Sequence, residues 1–294
     1  MSWLVIVNPA AGAARELEER VVASLGPLDI PFEIRRSESP EQVAEIVAEG
    51  HRTGITRFAG VGGDGTAHLI LNGIMAQEWS EPPGIGILPA GSGSDFIRTF
   101  GLPRSLEGAA KHLATPDWYT CDVLVIDGAF GRRYALNVVE AGVGAAAVGT
   151  AERMPRWVGA RRYAIAFCLT LPRFHPGEIR ANVDGRKEIK GPAIAIIAAN
   201  GQFFVGGMNV APRASLADGK LDLQVFRGPR RKAISVMPRV IRGMHLGHKN
   251  VRRLTGTRVE IDVPSDWPIE ADGEVLGSGS ISVSVLPAAI GFKI

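Results

Sequence analysis

Phe58-Ala59-Gly60-Val61-Gly62-Gly63-Asp64-Gly65-Thr66, followed by Ala67-His68-Leu69-Ile70-Leu71-Asn72-Gly73, decides the fold. A short apolar run breaks into glycines and then opens an apolar-periodic segment, which predicts strand, tight loop and helix in succession. Glycines at 62, 63 and 65 let backbone N–H groups approach a ligand closely. A helix beginning near Thr66 directs its unpaired N–H groups and positive dipole end to the same place, which suits a phosphate. Asp64 is out of place beside a phosphate. A carboxylate there repels the anion unless a divalent cation or a reacting hydroxyl lies between them.

Working outward, the same unit recurs. Trp3–Val7 is an apolar strand entering Asn8-Pro9-Ala10-Ala11-Gly12, and Leu17, Val21 and Leu25 then share one helix face. Phe32–Arg36 is a further strand. Ser39-Pro40 opens a helix, with serine as cap and proline in the first turn. Gly84–Leu88 is a buried strand ending in Pro89-Ala90-Gly91-Ser92-Gly93-Ser94-Asp95, a third glycine loop with its own aspartate. Repeated β-α units predict a parallel sheet flanked by helices, with ligands at the carboxyl ends of the strands.

After about Thr120 strand patterns follow one another: 122–126, 134–139, 178–183, 193–199, 221–226, 257–263 and 280–286. Asp184-Gly185 and Asp272-Gly273 lie between them as hairpin turns. Helical interruptions fall near 151–171 and 230–247. The expected architecture is an α/β nucleotide-binding domain over 1–121 and a mainly antiparallel, β-sandwich-like domain over 122–287. Residues 288–294 are a candidate to return to the first domain.

Length and composition set the outer limits. The 294 residues, 46% hydrophobic and 21% charged, are those of a folded soluble protein with a sizeable core. The longest apolar runs fall well short of the ~20 residues of a membrane span. No basic-then-apolar segment opens the chain, and the two cysteines, Cys121 and Cys168, form no disulfide framework, so a cytoplasmic protein is expected. A formal charge of +3 gives no case for nucleic-acid binding.

Taken together, Asn8–Gly12, Gly62–Thr66, Leu88–Ser92, Asn200-Gly201, Gly206-Gly207, Ala217–Asp222 and Asp272-Gly273-Glu274 resemble the diacylglycerol kinase catalytic domain family. These are lipid kinases related to sphingosine and ceramide kinases, and the resemblance runs in the family's order over nearly the whole chain. It implies that Asn8, Pro9, Ala10, Ala11 and Gly12, then Ser37, then Gly62, Gly63, Asp64, Gly65, Thr66, Ala67, His68 and Leu69, and finally Gly91 and Ser92, hold the nucleotide. It further implies a structural magnesium at Ser215, Asp218 and Lys220. Lysine cannot ligate through its side chain, so Ser215 and Lys220 would serve through their carbonyls. Glu274 matches the proton acceptor. Asp64, Asp95 and Asp272 match the acidic cluster around a catalytic magnesium.

This sequence departs from the family at His68 and Leu69, where asparagine and glutamate usually stand, and at Ser94, where asparagine does. The resemblance implies an ATP- and magnesium-dependent lipid kinase that moves a γ-phosphoryl group to a lipid hydroxyl in the cleft between the domains. NAD kinase is an alternative, less well matched by Pro89–Asp95, and a degenerate lipid-binding regulator is another. A substrate held in a bilayer also calls for peripheral contact with an anionic membrane. Arg153, Arg156, Arg161 and Arg162 around Trp157 suit that contact. The acceptor lipid is left open, as is assembly into a homodimer.

Overall fold

The computed structural model describes residues 2–7, 14–90, 95–155, 158–159, 161–204 and 206–294. It divides into two compact units, Met1–Cys121 with Ala288–Ile294, and Asp122–Pro287.

The first unit is the repeated β-α pattern. Strand β1 (Trp3–Val7) precedes α1 (Ala14–Leu25), β2 (Phe32–Arg36), α2 (Pro40–Arg52), β3 (Arg57–Gly62), α3 (Asp64–Met75) and β4 (Gly84–Pro89). Helices α4 (Asp95–Arg98) and α5 (Leu106–Ala114) follow. The strands are parallel in the order β2-β1-β3-β4, and Gly291 and Phe292 add the last strand parallel to β4. All five side chains of β1 are buried. Burial on both faces is why a parallel strand reads as one apolar run, and each such side chain contributes about 1.5–3 kcal/mol. Leu17, Val21 and Leu25 of α1 meet Leu106, Ala109 and Leu113 of α5 over Val5, Val7 and Val61. Helices α2 and α3 approach each other at Gly73, where a Cβ would come 3.1 Å from that of Val47. Ser39 caps α2 by accepting the N–H of Gln42 at 3.4 Å, with Pro40 in the first turn.

The second unit begins within β5 (Trp118–Gly128), which runs on from the first. Then come β6 (Gly131–Ala135), β7 (Val138–Gly142), α6 (Val143–Glu152), α7 (Arg161–Thr170), β8 (Gly177–Val183) and β9 (Lys187–Ala199). The short β10 (Phe203–Phe204) and β11 (Met208–Asn209) precede β12 (Leu221–Arg227), α8 (Arg230–Ile241), β13 (Val251–Gly256) and β14 (Arg258–Asp262). Strands β15 (Pro268–Ala271), β16 (Glu274–Ser278) and the part of β17 (Ile281–Lys293) up to Pro287 complete it. Every pairing within this unit for which a register is established is antiparallel, and the unit is β-sandwich-like. Strand β9 is its spine. Residues 187–193 pair with β8, whereas Ala195–Ala199 lie between β7 and β12. Ile196 and Ala198 enter the main core, while Ile197 and Ala199 pack on the opposite side with Val236 and Val240 of α8. Both faces are covered, so the run is apolar throughout instead of alternating.

Several expectations change. Helix α3 starts at Asp64, two residues before Thr66, with Gly63 as its cap. The expected strand 134–139 is two strands, broken at Leu136-Asn137 because those N–H groups turn to the carboxylate of Asp272. The helical stretch expected near 151–171 begins earlier, at Val143, and is interrupted between Glu152 and Arg161. The one expected at 230–247 ends at Ile241. Strand β13 was not anticipated.

Candidate active site

In the first unit, the glycine loop after β3 is shaped by its own helix. The carbonyl of Gly63 accepts the N–H groups of Thr66 and Ala67, which closes the first turn of α3 and sets its positive end at Gly63–Gly65. Thr66 folds back over the end of β3. A Cβ on Gly62 would come 2.2 Å from Thr66 Oγ1, so only glycine fits there. Gly63, Asp64 and Gly65 are partly exposed, but Thr66, Ala67 and His68 are buried. Any contact to a ligand from Ala67 or His68 would therefore come through the main chain. His68 Nε2 lies 3.3 Å from Asn72 Nδ2, within the helix. Leu69 is half-buried.

Asp64 ties this loop to the third one. Its Oδ2 accepts the N–H of Asp95 at 2.8 Å and its Oδ1 that of Phe96 at 3.1 Å, capping α4 from another element. Asp95 is buried and lies 3.7 Å from the Arg98 guanidinium. Each carboxylate oxygen has two acceptor positions, so Asp64 can cap α4 and still meet a cation. Ser37, also assigned to the nucleotide, is buried at the end of β2, where its N–H and Oγ both donate to the carbonyl of Val7. Asn8, Pro9, Ala10, Ala11, Gly12, Gly91 and Ser92 lie outside the described residues.

In the second unit the Asp272-Gly273 turn joins β15 to β16 with both residues at positive φ, 51° and 93°. Its geometry is held by carboxylates. Asp272 accepts N–H groups from Leu136 at 2.7 Å and from Asn137 and Val138 at 3.0 Å each. Glu270 accepts the N–H of Gly273 at 2.9 Å. Three main-chain donors lock the Asp272 carboxylate in place. Glu274 follows, half-buried, as the carboxylate of this hairpin that solvent reaches.

Two acids here escaped the sequence reading. Glu140 on β7 and Glu270 on β15 are direct cross-strand partners, and both are buried. Burial pushes Glu140 up to about 8, against the lowering effect of the Gly144 N–H it accepts at 2.9 Å. Glu270 is held well above the ordinary carboxylate range, by burial first and then by Glu140. A Cβ at Gly144 would sit 2.0 Å from Glu140 Oε1, so any larger residue would displace that carboxyl group. The available signal was an acid inside each of two apolar strand patterns.

The 215–220 loop is a tight turn in which Asp218 Oδ1 accepts the N–H of Lys220 at 3.1 Å. Gly219 donates to Asp122 Oδ2 at 2.7 Å, so a buried aspartate beneath the loop fixes it. Among the described residues no cluster of three or more His, Cys, Asp or Glu side chains forms a metal site. A cation would rely on one exposed carboxylate and main-chain carbonyls. That all-oxygen donor set fits magnesium.

Of the basic cluster, Arg153 and Arg161 are exposed, and Arg162 stacks on Tyr163 with its guanidinium 4.9 Å from the ring centre. Arg156 and Trp157 lie outside the described residues. No helix of the described residues is long and apolar enough to cross a membrane.

Comparison with known proteins follows the same division. Residues 2–126 match the diacylglycerol kinase catalytic domain, and residues 137–293 match the YegS C-terminal NAD kinase beta sandwich-like domain. The chain is 26% identical over 260 residues to a protein of Escherichia coli K12 named lipid kinase YegS, covering 84% of this chain and 81% of that one. A relative from Escherichia fergusonii, named probable lipid kinase YegS, is 25% identical over 300 residues, covering 98% and 94%. The fold matches a crystal structure of a diacylglycerol kinase from Bacillus anthracis str. Sterne with a TM-score of 0.74 at 19% identity, over 99% of this chain and 96% of that one. A second crystal structure from that organism matches with a TM-score of 0.81 at 20% identity, over 99% and 97%. With both halves of its length matched in order, the chain belongs to the diacylglycerol kinase catalytic domain family, in the YegS-like group of lipid kinases.

Proposed function

We propose that this lipid kinase transfers the γ-phosphoryl group of ATP to the hydroxyl of a lipid, with Glu274 as the base that takes the hydroxyl proton. The observation that carries the reading is the hairpin at Asp272-Gly273. Its aspartate holds three backbone N–H groups, and its glutamate is left accessible. An alcohol is a poor nucleophile, and a fixed carboxylate within hydrogen-bond reach can remove its proton as the phosphoryl group arrives. On the donor side, support comes from the positive end of α3 at Gly63–Gly65, which suits phosphate oxygens. Magnesium, when bound, neutralises charge on the phosphates.

Asp64, in the first turn of α3, and Asp95, whose N–H it accepts, are assigned to the magnesium-nucleotide, along with Ser37 and the loops at 8–12 and 91–92. Ser215, Asp218 and Lys220 are assigned to the structural magnesium. Arg153, Arg156, Trp157, Arg161 and Arg162 remain assigned to the membrane. The acceptor class is diacylglycerol, ceramide or a sphingoid base. Incubation with γ-labelled ATP and a panel of these lipids, with NAD alongside, tests the reading. Labelled phospholipid that disappears with Glu274→Gln is the expected result. Labelled NADP, or no labelled product with any acceptor, overturns it.

A further inference from the structure

The described residues include eight large hydrophobic side chains that are exposed, and three of them, Ile234, Ile241 and Met244, lie on α8 or the turn that ends it. They are 65%, 52% and 60% exposed, more than any core-facing role allows. Ile234, Pro238 and Ile241 recur at intervals of four and three, so they share one side of the helix. The opposite, buried side is accounted for by Val236 and Val240, which pack into the core. Two more of the eight, Ile165 and Leu169, lie on α7. That helix joins α8 in shared clusters, through Phe167 with Ala233 and Tyr163 with Met237. Arg230 also donates to the carbonyl of Pro172, just after α7.

The charge of this segment of the chain has one sign. From Arg227 to Arg253 the chain carries nine Lys and Arg residues and no Asp or Glu. Only Arg253 of the nine has an ion-pair partner among the described residues, the buried Asp222. Arg231, Arg239 and Arg242 are exposed beside the apolar residues. Three of the nine, Arg230, Arg231 and Lys232, fill the first turn of α8, where the helix dipole opposes positive charge. Local helix stability thus works against cations there, whereas an external anion would favour them. The turn after α8 is itself firmly held. The N–H of Met244 donates to the Arg239 carbonyl at 2.8 Å, and buried His245 lies 2.7 Å from Gln224 Oε1 and stacks on Phe226.

We propose that α8 and its following turn are a surface, additional to the 153–162 cluster, by which this protein lies on an anionic bilayer. Ile234, Ile241 and Met244 enter the acyl boundary, and Arg231, Arg239 and Arg242 meet headgroup phosphates. Apolar side chains flanked by cations on one helix side are what an interfacial helix requires. The unopposed positive charge selects a membrane over an uncharged protein partner. The inference extends the kinase reading by naming a surface that brings the enzyme to its lipid, and it can stand or fall separately.

The experiment is sedimentation of the full chain with phosphatidylcholine vesicles, with and without phosphatidylglycerol, alongside kinase assay on a short-chain, water-soluble diacylglycerol. The expected result is binding to the anionic vesicles alone, weakened by salt. At about 1 kcal/mol per basic residue, Arg231→Gln/Arg239→Gln/Arg242→Gln should lose about a hundred-fold in partitioning at low salt. Ile234→Ser/Ile241→Ser/Met244→Ser should lose about ten-fold or more. Both variants should melt like the parent and keep its activity on the soluble acceptor. Equal binding to neutral vesicles, parental binding by both variants, or a dimer in sedimentation equilibrium that the serine variant dissociates would each overturn the proposal. Vesicle binding as expected without phosphate transfer to any acceptor would sink the kinase reading and leave this surface standing.

Discussion

Glu140 and Glu270 stand directly opposite each other on β7 and β15, two buried carboxyl groups paired across antiparallel strands. Neighbouring carboxylates removed from water cannot both stay ionised, so the folded state retains a proton that the unfolded chain gives up. The folded value of Glu140, about 8, lies above its ordinary 4.5. Its stabilising contribution is therefore fully present below pH ~4.5 and is lost as pH rises toward 8. Glu140→Gln keeps the acceptor for Gly144 but has no charge to bury. It should be more stable than the parent at pH 8, by a few kcal/mol on the scale of ~1.4 kcal/mol per pKa unit, and nearly equal at pH 4.5. Urea unfolding at the two pH values measures this, and an equal difference at both would refute it.

Asp64→Ala removes the acceptor for Asp95 and Phe96. Loss of such a cap costs about 0.5–2 kcal/mol. If the same carboxylate also meets the magnesium-nucleotide, the variant should lose nucleotide affinity. Thermal unfolding and calorimetry read the two effects separately. Normal ATP affinity in a variant with lowered Tm would confine Asp64 to its structural task.

Asp272 and Glu274 are two residues apart and should fail differently. Asp272→Ala leaves the buried N–H groups of Leu136, Asn137 and Val138 without their acceptor, at about 1–3 kcal/mol for each left unsatisfied. It should unfold at lower denaturant. Glu274→Gln should leave stability unchanged and reduce kcat by about 10²–10⁴-fold with the KM for ATP little altered. A Glu274→Gln enzyme keeping more than roughly a third of kcat would pass the base role to another group.

Gly62→Ala places a methyl group within 2.2 Å of Thr66 Oγ1 and 3.0 Å of its Cβ. Forced displacement of Thr66 from the first turn of α3 should cost about 1–3 kcal/mol. Combining it with Thr66→Gly should restore part of the loss. Additive destabilisation in the double variant, by chemical unfolding, would show that the clash is not the cause.

Asp218 offers a test without any assay of activity. A cation bound only by the folded state raises stability with the logarithm of its concentration. The parent's Tm should rise with magnesium, and that of Asp218→Ala should not. Identical responses would remove the site.

Much of this was legible because it depends on neighbours in sequence. The β-α alternation, the Ser39-Pro40 helix start and the Asp-Gly turns are local signals, and the structure carries them all. What escaped depends on distant partners. The break at Leu136-Asn137 is made by a carboxylate more than 130 residues away. Helix α6 begins at Val143, ahead of the stretch expected near 151–171, because it buries Val143, Ala147, Val148 and Ala151. Strand β13 is disguised by Arg252 and Arg253, the second of which is neutralised only across the ladder, at Asp222. In the site, the order and spacing of the glycine loops and of Asp-Gly-Glu were visible, whereas the buried pair Glu140–Glu270 needed the strand register.

The strand that finishes the first unit is translated after the whole of the second. Gly291 and Phe292 complete the parallel sheet beside Gly84 and Ile85, Phe292 packs on Phe96 and Phe100, and the Thr115 hydroxyl donates to the carbonyl of Ile294. On the ribosome, the first unit therefore waits with the β4 edge of its sheet unpaired while the whole second unit emerges. Unpaired parallel edges invite association with other chains, so synthesis exposes the nascent protein to aggregation for as long as the remaining residues take to appear. A nonsense codon just before position 288 would leave all three glycine loops intact in sequence and still deny the first unit its closing strand.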